Sequence, residues 1–583
     1  MSTRQKGSQD RLIIALLSPS DPIILRVNYR SWKKLASKNQ IYQRELLEKA
    51  GPQYVGRQEW SKSYDKVNVV LGLTVSPPSA NESTSAGSST SDLRPTTDAI
   101  FKLVDRFRVL VIGKTGAGKS SLINRCFGVT EAAVSEYQAG RSDINTAIIA
   151  RENGRFVLHD SQGFEPGEDR NFQTVVNFLK ARKNMPDIKD QVHAVWLCFP
   201  VPLSADERLF ERGVEEFFRM RAAGELGPVP IITIFTKYDT LVDEIEYSRD
   251  FRNRTRALDK ETRSKLLIKE TNTMFQELCV LPFEGAVGSD IPHIAVSTNE
   301  EYKETSKTLR ELVKLTAEYV KQCLSVEVAE EVAVLSAVAQ RINPAVKIDA
   351  VIAVGKKRYW RGLASSANFP GKTLEACLQV LHADIVRIWN IQDDFAFLES
   401  KEFKALMMGL VGEQYDKLSN PNIMIPVSLS MLGSLAGILA ACAGPAVPIV
   451  LPIAASLVAA KWAYDVYQQS QLTLQRLMAY IVDVTIVMQM IFGLVVNAQL
   501  YLSRRLIKLA FTTYSESRER VQVHSEIKEH VKHAGRADRD AALAKILQLI
   551  EDYRMKPEDM EELQSKMAGF ANIEDEPWVV PQS

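Results

Sequence analysis

The chain has 583 residues, between three and four times the ~150 residues of a typical domain, so its length excludes a lone small module. Lysine and arginine number 72 against 71 aspartates and glutamates, and this net charge of +1 gives no global basic field, so no nucleic-acid partner is expected. The six cysteines are scattered without a C-x-x-C pair. This pattern predicts free thiols in a reducing compartment and therefore a cytoplasmic protein.

The amino-terminal part divides into two predicted segments. Residues 1–75 have a mixed composition and no pattern that indicates a role. Residues 76–98 are dominated by Ser, Thr, Pro and Gly. Because almost nothing in this segment can be buried, it is predicted to be a disordered linker, with a domain boundary near residue 99.

Residues 99–322 alternate short apolar runs with amphipathic segments, which predicts a mainly parallel sheet covered by helices. Strands are expected at Arg108–Ile112, Phe156–His159, Val192–Phe199, Ile231–Phe235 and Ile291–Val296. Residues 145–159 read as a hairpin closed by Asn153-Gly154, a pair that favours a type I′ turn. The hairpin would add one antiparallel strand at the sheet edge.

Residues 323–569 are predicted to be helical, and residues 570–583 to form a loose tail. Within this region, residues 418–460 contain no Asp, Glu, Lys or Arg, and an apolar hairpin is expected over 424–460. Its longest piece without proline, Val427–Gly444, has 18 residues and falls just inside the ~17–25 residues of a membrane-spanning helix. The sequence leaves two interpretations open, a membrane-inserting hairpin and the buried hairpin of a helical bundle.

The strongest chemical signal is the pattern G-x-x-x-x-G-K-[ST], a P-loop, which begins at Gly113 directly after the first strand. Its glycines let the backbone wrap a phosphate, and the following helix offers unpaired N–H groups. Lys119 is expected to contact the β- and γ-phosphates, and Ser120 to bind Mg²⁺. The predicted contacts are Gly113, Lys114, Thr115, Gly116, Ala117, Gly118, Lys119, Ser120 and Ser121.

A D-x-x-G motif, Asp160-Ser-Gln-Gly163, closes the strand Phe156–His159. Asp160 is expected to hold Mg²⁺ through water, and the backbone N–H of Gly163 to sense a γ-phosphate. Thr146, between the two motifs, is the best candidate for a threonine that closes on Mg²⁺ and the γ-phosphate, with Ser142 as its rival.

Thr236-Lys237-Tyr238-Asp239 follows the strand Ile231–Phe235 and predicts the choice of base. A carboxylate at Asp239 accepts hydrogen bonds from both N1–H and the exocyclic amine of guanine, a donor pair that adenine lacks. The stem of Lys237 can lie over the ring. Ser297, after the last strand, resembles the serine of a final guanine-side loop.

These motifs, in this order, resemble those of G-domain GTPases in the translation-factor-like half of the P-loop class. The loop GKTGAGKSSLIN is most similar to those of Era-like, septin-like, immunity-related and AIG1-type GTPases, and the layout resembles that of uncharacterised fungal G-domain proteins. The resemblance covers roughly residues 105–320. It implies a Ras-like α/β G domain that uses GTP and GDP with Mg²⁺, and it leaves a homodimer formed through the G domain open.

The chain departs from small Ras-like GTPases at one position. The residue after the D-x-x-G glycine is Phe164, where those proteins have the glutamine that orients the attacking water. Gln162 lies nearby, inside the motif, and is the candidate for this role. Slow intrinsic hydrolysis is therefore expected.

Three functions follow from the sequence. The first is a switch that hydrolyses GTP to GDP and passes its state to a helical effector region. The second is a membrane-associated large GTPase anchored by the apolar hairpin. The third, motivated by Phe164, is a module that holds GTP with little turnover.

Overall fold

The computed structural model describes residues 93–129, 144–162, 169–204, 206–207, 209, 212–357, 359–360, 374–417, 470–497, 501–533, 541–556, 559 and 575–578, and four strands nearer the amino terminus. Ser142, Gly163, Phe164 and the apolar hairpin 424–460 lie outside the described residues. The chain divides into two compact units, Met1–Ser91 and Asp92–Ser583.

The described part of the first unit consists of two antiparallel strand pairs. β1 (Pro22–Ile24) pairs with β2 (Gln40–Tyr42), and β3 (Arg57–Tyr64) pairs with β4 (Val67–Thr74). Two residues separate β3 from β4, which is the commonest connection in a β-hairpin.

The second unit is built on a five-stranded parallel sheet in the order β6-β5-β7-β8-β9. The strands are β5 (Phe107–Gly113), β6 (Phe156–Gln162), β7 (Ala194–Pro200), β8 (Ile231–Thr236) and β9 (His293–Ala295). They confirm the predicted parallel sheet. β5, β7 and β8 are almost continuously apolar because helices cover both faces of the sheet.

Helices connect and flank these strands. They are α1 (Thr96–Leu103), α2 (Lys119–Phe127), α3 (Asp169–Lys183), α4 (Arg212–Ala222), α5 (Tyr238–Tyr247), α6 (Arg249–Thr255), α7 (Lys260–Phe275), α8 (Leu281–Val287) and α9 (Thr305–Cys323). A π-helical turn, Gln276–Val280, joins α7 to α8. α1 begins three residues before the expected boundary at residue 99.

The rest of the described chain is mainly helical, as predicted. Its helices are α10 (Val326–Ala339), α11 (Pro344–Lys357), α12 (Leu374–Trp389), α13 (Lys401–Lys417), α14 (Ser470–Phe492), α15 (Arg504–Ser515), α16 (Arg518–His533) and α17 (Ala541–Tyr553). A π-helical turn, Gly493–Asn497, extends α14.

Successive side chains of each strand point to opposite faces of the sheet, so the hydrophobic core forms one cluster on each face. Val109 and Val111 of β5 point to one face, where their cluster continues through α9 and α10 into the carboxy-terminal helices. Leu110 and Ile112 point to the other face and pack with α3, α4 and α7. The first face of the sheet and the carboxy-terminal helices therefore share one hydrophobic cluster.

The predicted antiparallel edge is present as a single bridge, in which Ile148 and Leu158 exchange backbone hydrogen bonds of 2.9 and 3.0 Å. The predicted type I′ turn at Asn153-Gly154 is wrong, because that turn requires a positive φ at both residues and neither has one. The side chain of Asn153 instead makes long-range bonds, described below, that hold the residue in another conformation.

The amino end of α1 is capped from a distant helix. The Asp384 carboxylate of α12 accepts hydrogen bonds from the backbone N–H groups of Thr97 at 2.8 Å and Thr96 at 3.0 Å. A carboxylate at this position satisfies N–H groups that a helix leaves unpaired at its first turn.

One described helix is long and apolar enough to cross a membrane, over Leu472–Val496, but 94% of its most apolar window is buried inside the protein. It corresponds to α14 and its π-helical extension. Such burial is typical of the central helix of a bundle.

Candidate nucleotide-binding site

The P-loop connects β5 to α2, at the carboxyl end of the sheet. Gly113 closes β5 beside β7, and a Cβ on it would lie 2.8 Å from the carbonyl oxygen of Cys198. A side chain here would therefore force β5 and β7 apart. This contact gives the physical reason for the first glycine of the motif.

Gly116 and Gly118 serve a different purpose. Both have a φ of +78°, a conformation that L side chains rarely adopt, and a Cβ on either would meet no atom within 4 Å. At these two positions the backbone conformation, and not a lack of space, requires glycine. Lys119 Nζ donates hydrogen bonds to the carbonyls of Gly113 at 2.7 Å and Lys114 at 3.3 Å, which holds the ammonium group against the backbone of the loop.

The oxygen donors expected to bind Mg²⁺ lie on neighbouring elements. Ser120 is the second residue of α2, and Asp160 lies near the end of β6, which pairs in parallel with β5. Asp160 is 9% exposed. A hydroxyl and a carboxylate are hard oxygen ligands of the kind Mg²⁺ prefers, so these residues fit the ion.

Cys198 lies beneath the P-loop on β7. Burial raises the pKa of its thiol to about 12, Lys119 opposes this shift, and Asp160 adds to it. The residue therefore remains a neutral thiol at physiological pH, although it lies among charged site residues. The position of Cys198 beside the P-loop could not be predicted from the sequence, because a lone cysteine in a buried strand is ordinary.

A hydrogen bond joins the end of β8 to the P-loop. The hydroxyl of Thr236 donates to the carbonyl of Ala117 at 2.8 Å, and Thr236 is buried. Lys237 follows with a φ of 58°, so the chain turns sharply into α5. The predicted guanine-side residues and the predicted phosphate-binding loop are thereby held in a fixed relation.

Ser297, the residue predicted to belong to the final guanine-side loop, lies close to Asp239. Asn299 Nδ2 donates to Asp239 Oδ2 at 3.2 Å, and the backbone N–H of Asn299 donates to Ser297 Oγ at 3.0 Å. The structure therefore brings Ser297 and Asp239 together through Asn299. Sequence reasoning missed Asn299, although its position two residues after Ser297 was a usable signal.

Two predicted catalytic residues lie on the β6 side of the site. The backbone of Gln162 is in register with Gly113 across β6 and β5. Thr146 is exposed, two residues before the bridge at Ile148. Gln162 therefore ends its strand level with the start of the P-loop.

The segment that carries Thr146 is anchored through His159. One ring nitrogen, Nδ1, donates to the carbonyl of Ile144 at 2.7 Å, and the other, Nε2, accepts from Arg108 Nη1 at 2.8 Å. Burial lowers the pKa of His159 to about 4, so the ring is neutral at physiological pH. His159 directly precedes Asp160, and its bond to Ile144 holds the chain two residues before Thr146.

A second missed feature lies behind the site and is called here the Asn153 junction, formed by Asn153, Arg341 and Asn390. Asn153 Nδ2 donates to the carbonyls of Phe127, at the end of α2, and Ala339, at the end of α10, at 2.7 and 2.8 Å. Its Oδ1 accepts from Asn390 Nδ2 at 3.0 Å. Asn153 is 1% exposed, so these bonds are shielded from water.

Arg341 completes the junction. Its backbone N–H donates to the carbonyl of Cys126 at 2.8 Å, and its guanidinium donates to the carbonyls of Glu152 and Asn390. Burial lowers the pKa of Arg341 to about 10, so the group remains charged at neutral pH. The P-loop helix, the turn before β6 and two carboxy-terminal helices therefore meet at one polar cluster.

The fold and the site together define a P-loop G domain of the GTPase class. Residues 108–216 match the family of the 50S ribosome-binding GTPase, and residues 397–565 match a Domain of unknown function (DUF8505).

Among proteins similar to this chain are two bacterial proteins called GTPase Der. The one from Syntrophotalea carbinolica is 41% identical over 58 residues, covering 10% of this chain and 13% of that protein. The one from Trichlorobacter lovleyi is 39% identical over 66 residues, covering 11% and 15%. The chain thus spans about one seventh of the length of these relatives. A solved structure of sup35 complexed with GMPPNP covers 36% of this chain and 43% of its own, at 15% identity and a TM-score of 0.16.

Proposed function

We propose that the protein binds GTP and hydrolyses it to GDP and inorganic phosphate. The observation that carries this proposal is the bond from Thr236 to Ala117, because it ties the P-loop to the strand end that leads into Lys237 and Asp239. In this proposal Lys119 contacts the β- and γ-phosphates, Asp239 reads guanine, and Ser297 supports the base loop. The residue assignments rest on the motifs and on this geometry.

Ser120 and Asp160 would hold Mg²⁺, with Thr146 as a further expected ligand. When bound, the ion supplies positive charge against the phosphate oxygens. The chain itself supplies the ammonium of Lys119 and the backbone N–H groups of the loop from Gly113 to Ser120. Gln162 and the backbone N–H of Gly163 are the proposed groups near the attacked phosphate.

Nucleotide competition tests the proposal. A fluorescent GTP analogue should be displaced by GTP and GDP at far lower concentrations than by ATP, because adenine leaves the Asp239 carboxylate without its two donors. Equal displacement by ATP and GTP would overturn the guanine assignment. Release of inorganic phosphate from GTP in a single turnover then tests hydrolysis separately from binding.

We further propose that the nucleotide state is passed to the helical region through the Asn153 junction. The support is positional. Glu152 and Asn153 lie in the chain between Thr146 and Asp160, the two residues expected to respond to a γ-phosphate. Asn153 contacts Ala339 at the end of α10, and Glu152 contacts Arg341 just beyond it. A shift of this turn would change hydrogen bonds at the ends of α10 and α12.

Hydrogen exchange compares the two nucleotide states directly. Amides of 337–341 and 388–391 should exchange at different rates in the GDP form and in a form with a non-hydrolysable GTP analogue. Amides of α7, which packs on the opposite face of the sheet, serve as the internal reference. Unchanged exchange at the junction, with changed exchange at Thr146 and Asp160, would contradict the coupling.

The alternatives from the sequence remain separate proposals. Membrane anchoring depends on 424–460, and flotation of the native protein with liposomes tests it. A GTP-holding module with little turnover is tested by the single-turnover measurement above.

A further inference from the structure

Asn299 lies against the carboxylate that is proposed to read the base. Its Nδ2 donates to Asp239 Oδ2 at 3.2 Å, across a separation of 60 residues in the chain. The donor reaches one oxygen of Asp239. Guanine presents two N–H groups side by side, so a carboxylate that receives both must keep its two oxygens in the plane of the base.

The loop itself determines which end of the Asn299 amide faces Asp239. Asn299 Oδ1 accepts a hydrogen bond from the backbone N–H of Glu301 at 3.1 Å. Because the oxygen is occupied by this donor, the amide nitrogen is the end turned to the carboxylate. The orientation is therefore a property of the folded loop.

The backbone of Asn299 is held on both sides. Its N–H donates to Ser297 Oγ at 3.0 Å, and its carbonyl accepts from the hydroxyl of Thr305, the first residue of α9. Ser297 is fully buried. Asn299 itself is exposed, so its side chain lies at the surface beside Asp239. The hydrogen bonds to its backbone hold the residue in place.

We propose that Asn299 is a positioning residue for guanine selectivity. It holds one oxygen of Asp239 so that the rotation of the carboxylate is already restricted when the base arrives. This inference rests on the proposed function, and it assigns a specific role to a residue outside the motifs. A residue that only shapes the loop would affect all nucleotides alike.

Two variants separate these roles. Asn299→Ala removes both the amide donor and the bond to Glu301. Asn299→Asp keeps an oxygen for the N–H of Glu301 and therefore the loop, but it places a second carboxylate beside Asp239. The affinities of GTP, ITP and ATP are measured by competition against a fluorescent GTP analogue. ITP lacks the exocyclic amine, so the GTP-to-ITP ratio reports on the second hydrogen bond to Asp239.

Both variants should weaken GTP binding about 2- to 12-fold, the range of one hydrogen bond, and should lower the GTP-to-ITP ratio. The loss in Asn299→Asp should be at least as large as in Asn299→Ala. In an Asp239→Ala background, Asn299→Ala should have no further effect, because the group it positions is gone. An unchanged ratio in both variants, or an undiminished effect in the Asp239→Ala background, would overturn the inference.

Asn272→Ala is the matched control. Asn272 is an exposed asparagine on α7 whose Oδ1 accepts from the hydroxyl of Tyr238 at 3.2 Å, next to Asp239 in the chain. Its GTP-to-ITP ratio should equal that of the native protein, and an equal fall in this control would count against a specific role for Asn299. If the native protein itself fails to prefer GTP over ATP, the proposed function fails first, and that outcome is distinguishable from failure of the Asn299 variants alone.

Discussion

The side-chain amide of Asn153 donates a 2.8 Å hydrogen bond to the backbone carbonyl of Ala339, 186 residues later in the chain. The same nitrogen donates to Phe127 at the end of the P-loop helix. One buried side chain therefore connects the element that follows the phosphate-binding loop to the end of α10. Replacing Asn153 should therefore perturb both the end of the P-loop helix and the end of α10.

Asn153→Ala should lower the free energy of unfolding by about 2–6 kcal/mol, because it leaves two buried carbonyls without their donor, at about 1–3 kcal/mol each. Chemical denaturation at neutral pH measures the change. Asn253→Ala, at an exposed position of α6, should stay within about 0.5 kcal/mol of the native protein. Equal stability of the two variants would contradict the importance of the junction.

Asp239→Asn should weaken GTP binding and increase tolerance for xanthosine triphosphate. The amide presents a donor where guanine also presents one, whereas xanthine offers a carbonyl there. A lost charged hydrogen bond corresponds to about 1.5–3 kcal/mol, or roughly 10- to 150-fold in affinity. Titration with both nucleotides checks the exchange of preference, and an unaltered preference for GTP would show that another residue reads the base.

Lys119→Ala should reduce nucleotide affinity at least about 100-fold, since it removes the ammonium group that the carbonyls of Gly113 and Lys114 hold against the backbone of the P-loop. Lys102→Ala, on the exposed side of α1, is the control and should bind normally. Ser120→Asn should favour GDP over GTP by disturbing the Mg²⁺ ligand. Native affinity in Lys119→Ala with Mg²⁺ present would refute the phosphate assignment.

Hydrolysis by the isolated chain should be far slower than the ~1–10³ s⁻¹ of typical enzymes, because Phe164 cannot orient a water molecule. Single-turnover release of phosphate measures this rate. Phe164→Ala should change the chemical step little. Fast hydrolysis that disappears in Gln162→Ala would instead identify Gln162 as the residue that positions the water.

Acid should destabilise the protein through three buried histidines, His159, His193 and His382. Burial lowers the pKa of each from 6.5 to about 4. As the pH falls, these histidines become protonated near pH 6.5 in the unfolded chain but only near pH 4 in the folded chain. Protonation therefore favours the unfolded chain, and the stability present above pH 6.5 is lost as the pH falls. Each histidine should account for a loss of about 2 kcal/mol between pH 7 and pH 5.

His382→Gln tests this sign and size. His382 Nε2 donates to the carbonyl of Leu398 at 2.7 Å, and Nδ1 accepts from Tyr480 at 2.9 Å, so the native ring is neutral. The variant should lose about 2 kcal/mol less than the native protein between pH 7 and pH 5. The exposed His533, replaced by Gln, should leave the pH dependence unchanged. A steeper acid loss in His382→Gln would contradict the assignment.

The sheet could be predicted because its signal is local. Apolar runs such as Ile231–Phe235 are long enough to be buried on both faces, and a P-loop pattern directly after a strand determines where the site lies. The Asn153 turn was mispredicted because the side chain of Asn153 bonds to Phe127 and Ala339, which are far away in sequence. The contact of Asn299 was missed for the same reason, since its partner Asp239 lies in the first turn of α5, 60 residues earlier in the chain.

The cap that Asp384 provides to α1 can form only after residue 384 has been synthesised. Its carboxylate binds the N–H of Thr97 across 287 residues of chain. At translation rates of about 5–20 residues per second, roughly 15–60 s pass between the synthesis of Thr97 and that of its partner. The first helix before the P-loop therefore leaves the ribosome with its amino end uncapped, and a nascent chain arrested before residue 384 carries a G domain whose entry helix still lacks this cap.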